Sequence, residues 1–369
     1  MDFQFYMPAK VVSGKNAVER NAELLGKFGK ACLIVTGARS AAACGALGDV
    51  TAALDKLSIS YRIYSRIGEN PLVSSCREAA AEASAFGAEF IIGIGGGSPL
   101  DAAKAVALLA ANPELDGESL YDLSWSHKPL PIVLVGTTSG TGSEVSPTAV
   151  LTTELGRKRG LSHPDLYADL AFADPKYTNS LPRSVTVSTG LDALSHALEG
   201  FLSPHCGSVD SVFAYQAIPV LWKNLKALHA GAELTETMHA ELYFASLWAG
   251  LVLNSLGTAY PHPFGYVLTE DFGIPHGRAC AVFLPSLVTR AAEHSRDRAE
   301  EFFQMAGCSF AEFQAVISSL SDCGAVAMTE AQIGGYVSRF HGLKHYKNVP
   351  GGYTPEDAEA LFRSLFLKP

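Results

Sequence analysis

The chain has 369 residues, more than one typical domain holds, so two domains are expected. Hydrophobic residues make up 48% and charged residues 18%, with a mean hydropathy of +0.15, which supplies large cores and excludes a disordered chain. A net charge of −9 and a pI near 5.7, with no basic stripe, exclude nucleic acid as the expected partner.

The opening MDFQFYMPAKVV has no basic stretch leading into an apolar core, so no signal peptide is expected. ACLIVTG (31–37) is aliphatic and ends on glycine, as a buried strand does, and 46–57 follows as a helix. SYRIYS (60–65) is a second strand, GENP (68–71) a turn, and the Ala- and Glu-rich 72–86 a helix. EFIIGIGGGS (89–98) is a third strand running into glycines, followed by a helix through 104–111. PIVLVGTTSGTG (131–142) repeats the strand-then-small-residue pattern. Strand and helix in alternation imply parallel strands joined by helical crossovers, a doubly wound α/β domain over 1–180.

After about residue 180 the texture changes. Segments 181–203, 208–231 and 233–257 are long and periodic at helical spacing, and 277–293, 296–306, 309–320, 329–338 and 355–366 continue the pattern. An all-α domain over 181–369 is expected. The apolar runs 89–94 and 131–135 are far shorter than the roughly 20 residues of a membrane helix, so a soluble, cytoplasmic protein without a membrane partner is expected. Seven cysteines, an odd number with no CxxC pair, argue against a disulfide framework or a cysteine zinc site; most are expected to be small buried hydrophobes.

Gly93-Ile-Gly-Gly-Gly-Ser98 follows a strand and precedes a helix opening at Pro99. Main-chain N–H groups at such a helix start, with the helix dipole behind them, suit a pyrophosphate, although a plain tight turn reads the same way. Gly136-Thr-Thr-Ser-Gly-Thr-Gly-Ser-Glu144 also follows a strand. Two such loops at the carboxyl ends of one sheet favour a nucleotide site. Asp101 and Lys104 would lie near the helix's first turn, or else be solvated surface charges.

Asp192 and His196 stand four apart in a helical pattern, hence on one face. A buried Asp–His pair, hydrogen-bonded in a core, is the ordinary reading. His262 and His276, each beside proline in a glycine-rich stretch expected to form defined turns, add two imidazoles. One carboxylate and three imidazoles suit a borderline divalent ion.

GGGSPLDAAK (95–104), TTSGTGSEVSP (137–147), TGLDALSHALEG (189–200) and PHPFGYVLTEDFGIPHG (261–277), in this order and spacing, resemble the iron-containing (group III) alcohol dehydrogenase family, whose fold is dehydroquinate synthase-like. The resemblance implies a dinucleotide-binding first domain, a helical metal- and substrate-binding second domain and an active site in the cleft between them. Carried across, the metal ligands are Asp192, His196, His262 and His276. The cofactor contacts are Asn70, Gly95, Gly96, Gly97, Ser98, Thr137, Thr138, Thr141, Lys158 and Leu181, with Asp101 inside the motif. It implies hydride transfer between NAD(H) or NADP(H) and a small alcohol or aldehyde, with one divalent metal, Fe2+ or else Zn2+, as Lewis acid on the substrate oxygen. A homo-oligomer, with a dimer favoured, is also implied.

Two departures stand out. Where many members carry an acidic residue after the first strand, this chain has Gly37, with Arg39 and Ser40 next; the missing carboxylate and the added cation favour NADP(H). Where many carry a further histidine, it reads Gly257-Thr-Ala-Tyr260. Alternatives of the same fold are a zinc-dependent glycerol dehydrogenase-like or dehydroquinate synthase-like enzyme. A non-catalytic nucleotide-binding protein is the rival from another class. Tyr260, Phe264, Tyr266 and Phe272 are pocket candidates that read equally well as core.

Overall fold

Strands β1 (Lys10–Ser13), β2 (Ala31–Thr36), β3 (Ser60–Tyr64), β4 (Phe90–Gly95), β5 (Ile132–Gly136) and β8 (Leu170–Ala173) form a six-stranded sheet, ordered β1-β8-β5-β4-β2-β3. Every pairing in it is parallel. Strands β6 (Thr148–Thr152) and β7 (Lys158–Ser162) make a separate antiparallel hairpin. This computed structural model describes residues 3–367.

Side chains alternate across the sheet as the pleat requires. Leu33, Val35, Ile91 and Leu134 face one apolar core, and Cys32, Ile34, Ile92, Val133 and Val135 face another. Both faces are thus covered, which is why β2, β4 and β5 read as continuous apolar runs. The helix Gly97–Ala111 is buried almost all round, and Ala103 packs so close to β4 that a Cβ on Gly93 would lie 2.6 Å from it. Chain order reverses between β2 and β4, since β3 lies beyond β2 while β5 and β8 follow β4 on the other side. Ligands of open α/β sheets bind beyond the carboxyl ends of strands at such a switch point. The segments leaving those two ends are Gly37–Ser40 and Gly96–Ser98.

The sequence reading lacks β1, β8 and the hairpin. β1 is a four-residue, half-exposed edge, β8 is only four residues long, and β7 is polar with a glycine inside it. None carries enough apolar periodicity to stand out.

From Arg183 onward the chain is helical: Arg183–Phe201, Ser208–His229, Glu236–Leu256, Pro261–Phe272, His276–Ala281, Leu284–His294, Arg296–Ala306, Phe310–Ser321, Glu330–Ser338 and Pro355–Phe366. The helix expected over 277–293 is two helices. Pro285 lacks an N–H and is tolerated only in a first turn, so a new helix begins at Leu284. The stretch around His262, expected as turns, is a helix, with Pro261 at its first position and Gly273 left-handed (φ 67°) after its end.

Two compact units result. One comprises Tyr6–Pro182 with Thr235–Gly250; the other comprises 3–5, Arg183–Leu234 and 251–367. Within the first, Tyr243 reaches the loop after β5, its hydroxyl 3.0 Å from Glu144 Oε1. No single helix among the described residues is long and apolar enough to cross a membrane.

Candidate active site

The glycine loops of the sheet unit are built from backbone. Thr137 N–H donates to Gly95 O at 2.9 Å, so the loops after β4 and β5 start side by side. A Cβ on Gly96 would lie 2.9 Å from Thr138 Cγ2, and one on Gly97 would lie 2.5 Å from Thr141 Cγ2. The two loops interlock only because these positions have no side chain. Asn70, in the left-handed region at φ 55°, donates its N–H to Ser98 Oγ at 3.2 Å and accepts from Lys158 Nζ at 3.0 Å. The structure therefore brings together Gly95, Gly96, Gly97, Thr137, Thr138 and Thr141, and separately Asn70, Ser98 and Lys158. Leu181 lies in the turn after Pro175–Thr178, its N–H donating to Thr178 O at 3.0 Å.

Neither Asp101 nor Lys104 is a solvated surface charge. Lys104 is fully buried, and its ammonium donates to Ser143 O, Ser143 Oγ, Ser146 O and Thr148 O at 2.7–2.9 Å. Burial drives its pKa down to about 8 against the opposing pull of Asp101 and Glu144. Asp101 accepts from Ser143 Oγ and Val150 N–H, both at 2.9 Å, which commits both oxygens to protein donors. Asp101 thus supports the loop from behind. Gly37 lies next to Ile67 O, where a Cβ would sit 3.4 Å away, while Arg39 and Ser40 are exposed.

The second cluster is built from side chains and lies wholly within the helical unit. Asp192 and His196 project from Arg183–Phe201, His262 is the second residue of Pro261–Phe272, and His276 opens His276–Ala281. Asp192 Oδ1 lies 3.7 Å from His262 Nε2, 3.7 Å from His276 Nε2 and 4.0 Å from His196 Nε2. The His196 and His262 rings stack at 4.6 Å, and Tyr266 stacks on His276 at 5.5 Å. Gly277 makes this convergence possible: a Cβ there would collide with Ser188 O and come within 2.9 Å of Asp192 N, so only glycine lets the two helices touch.

Asp192 Oδ1 and His262 Nε2 are buried and make no hydrogen bond. Leaving such groups bare costs about 1–3 kcal/mol each. Their spacing is near the ~3.4 Å that separates donors about 2.1 Å from a tetrahedral ion. Two buried carboxylates, Asp192 and Glu199, also concentrate negative charge here that a cation would offset. The donor set fits a metal.

Glu199 was not singled out in the sequence, although it sits seven residues after Asp192 on the same helix face. Its Oε1 is 2.6 Å from His262 Nδ1, and Oε2 accepts from Ala259 N–H at 2.7 Å. It fixes the ring so that Nε2 faces Asp192. Burial works against both ionised groups of the cluster, but the imidazoles hold the Asp192 carboxyl well below the usual range. Likewise Glu199 and Asp192 push His262 up to about 9. Cys280, one turn after His276 and not singled out in the sequence, lies with its Sγ 3.6 Å from His276 Nδ1. Cys32, Cys76 and Cys323 are buried, Cys44, Cys206 and Cys308 partly so, and none of the seven is in a disulfide. Tyr260 and Phe264 are core: both are fully buried, and Tyr260 stacks on Tyr353 at 4.2 Å.

The chain matches the iron-containing alcohol dehydrogenase family over residues 8–175 and the C-terminal domain of the Fe-containing alcohol dehydrogenase family over 186–330. It is 30% identical to lactaldehyde reductase of Escherichia coli strain K12 over 278 residues, 74% of this chain and 72% of the relative. The crystal structure of an iron-containing alcohol dehydrogenase from Thermotoga maritima superposes with a TM-score of 0.91 at 34% identity, covering 99% of both chains. Sulfoacetaldehyde reductase of Bifidobacterium kashiwanohense, solved with NAD+, gives 0.85 at 26% identity, again over 99% of both. The glycine loops, the switch-point sheet and the buried carboxylate–imidazole cluster thus find their place together: this chain belongs to the iron-containing alcohol dehydrogenase family, the oxidoreductases of alcohols and aldehydes.

Proposed function

We propose that the chain exchanges a hydride between a nicotinamide dinucleotide, NADP(H) in preference to NAD(H), and a small primary alcohol or its aldehyde, using one divalent metal held by Asp192, His196, His262 and His276. The observation carrying this reading is the pair of buried atoms Asp192 Oδ1 and His262 Nε2, neither with a hydrogen bond, facing each other at 3.7 Å. The family resemblance implies Fe2+ or else Zn2+. When bound, such an ion supplies Lewis-acid polarisation of the substrate oxygen, easing alkoxide formation in one direction and hydride acceptance in the other.

The residues have separable tasks. Asp192 supplies the anionic donor at the centre of the set, kept ionised by three imidazoles. Glu199 holds His262 in one tautomer, leaving Nε2 as the donor. Gly96 and Gly97 leave main chain open to a pyrophosphate at the start of a fifteen-residue helix, whose dipole favours negative charge. Lys104 and Asp101 hold the Thr137–Ser143 loop in shape. Arg39 and Ser40, with no carboxylate at Gly37, suit a 2′-phosphate.

Loading metal-free protein with Fe2+ or Zn2+ and following oxidation of NADPH and NADH against a panel of small aldehydes tests the reading. Metal-dependent turnover with a higher kcat/KM for NADPH is expected. Turnover undiminished by metal removal would overturn the metal assignment, and a strong NADH preference would overturn the cofactor assignment. A homodimer and a cytoplasmic location follow from the family resemblance, and are checked by light scattering and cell fractionation.

A further inference from the structure

We propose that Cys280 supplies a thiolate ligand to the metal centre, so that this centre retains zinc or cobalt in preference to iron. The inference rests on the reading that Asp192, His262 and His276 hold a metal, and it adds a donor of different chemistry to theirs.

Geometry carries it. Cys280 Sγ and one donor atom each from Asp192, His262 and His276 all lie within 4.8 Å of one another. Asp192 and His262 are also the residues whose Oδ1 and Nε2 are buried without a hydrogen bond. The fourth ligand implied by the family resemblance, His196, offers the imidazole nitrogen farthest from Asp192 Oδ1, at 4.0 Å against 3.7 Å for the other two. Cys280 therefore completes a compact four-donor set sharing three members with the expected one.

The thiol is also built in. His276 and Cys280 stand four apart on one short helix and so share a face. Room for the sulfur comes from Gly265, where a Cβ would lie 2.8 Å from Sγ, and Gly277 holds the same helix against Asp192. Any larger residue at 265 would push the sulfur away from the donors.

Loading balances simply: the S–H bond breaks, a sulfur–metal bond forms and the proton leaves to solvent. A soft thiolate among imidazoles strengthens the preference for tetrahedral zinc and its spectroscopic substitute cobalt over iron beyond what an all-nitrogen-and-oxygen set gives. The expected consequence is a family member whose metal preference departs from its family's name.

The test uses the full chain, stripped of metal and loaded with a single equivalent of Co2+ or Zn2+, beside Cys280→Ser and Asp192→Ala. Wild type is expected to give a near-ultraviolet sulfur-to-cobalt charge-transfer band and, with zinc, a sulfur scatterer at about 2.3 Å in X-ray absorption. C280S should keep its far-UV circular dichroism and still bind one ion, lose both signals, and lose about tenfold in its zinc-over-iron selectivity. One tightly bound cobalt in wild type with neither signal would overturn the thiolate while leaving the Asp/His reading intact. Failure of wild type to bind a stoichiometric ion, or binding unaffected by D192A, would overturn both.

Discussion

The glycine cradle of the sheet unit and the donor cluster of the helical unit are built by opposite means. In the cradle the chemistry is backbone, and side chains are conspicuous by their absence: Gly96 and Gly97 exist so that Thr138 and Thr141 can come close. In the cluster the chemistry is side chain, and helices serve to aim it. The cradle keeps its one buried cation, Lys104, fully hydrogen-bonded behind the loop. The cluster leaves Asp192 Oδ1 and His262 Nε2 bare. A satisfied polar group holds structure, whereas buried carboxylate and imidazole atoms that face one another without a hydrogen bond suit a shared cation. Damage to the two regions should therefore be distinguishable.

The largest effect is expected at the cluster. Asp192→Ala or His276→Ala should lower kcat by on the order of 10³-fold or more, through loss of the metal and its charge stabilisation. The circular dichroism should stay near native, because the side chain removed had no hydrogen bond to lose at Asp192 Oδ1. Metal analysis alongside steady-state kinetics checks this. Unchanged metal content would mean that the cluster is a polar core network and that the contrast drawn here is wrong.

At the cradle the same kind of damage should appear as lost stability. Lys104→Met strips the ammonium from the Ser143, Ser146 and Thr148 carbonyls and leaves Lys158 as the remaining cation acting on Asp101. Leaving those buried carbonyls without their donor costs about 1–3 kcal/mol each, read from a shift in the denaturant midpoint. Surviving protein should bind dinucleotide more weakly while retaining its metal.

Glu199→Gln sharpens the comparison, since it alters the cluster without touching a donor. Metal affinity should fall about 10- to 100-fold, as for other partners that orient a ligating histidine. The same carboxylate sets a pH signature. With Glu199 and Asp192 beside it, His262 in metal-free protein titrates at about 9, well above its ordinary 6.5. A raised histidine pKa stabilises the fold fully below pH 6.5 and loses that stabilisation as pH rises through 9. Metal-free protein should thus lose stability across that window, and metal-loaded protein, whose His262 Nε2 carries no proton, should lack the slope. Thermal melts of both forms from pH 6 to 10 measure it; parallel curves would detach Glu199 from His262.

These contrasts also explain what the sequence revealed. The cradle was legible because a backbone site is local: strand, glycines and helix start lie within ten residues of one another, 89–98. Asp192 and His196 were legible as one face of one helix. That His262 and His276 meet them depends on Gly277 fitting against Ser188, a tertiary contact no spacing announces. Glu199 and Cys280 were missed for a different reason. Both stand one or two turns from a recognised ligand, on the same helix face, so the signal was present. A buried Glu and a buried Cys simply have ordinary readings of their own. Asp101 and Lys104 read either as residues near the helix's first turn or as solvated surface charges, the usual fate of such residues; only the fold buries Lys104.

The smallest effect concerns the cofactor's far end, where neither burial nor a metal helps. Arg39 and Ser40 are exposed beside Gly37, at the switch point between β2 and β4. An exposed guanidinium facing a phosphate gains only a screened attraction, so Arg39→Ala should lower the NADPH-over-NADH ratio of kcat/KM by about five- to tenfold. High salt should shrink the wild-type ratio toward that of the variant. Gly37→Asp asks the converse question, restoring a carboxylate that repels the 2′-phosphate and accepts from a ribose hydroxyl. It should depress NADPH use and improve NADH use, although the new Cβ lies 3.4 Å from Ile67 O and takes some of the gain in strain. If both variants leave the ratio unmoved, cofactor choice is made by backbone alone, and the cradle governs more of the molecule's specificity than the comparison allows.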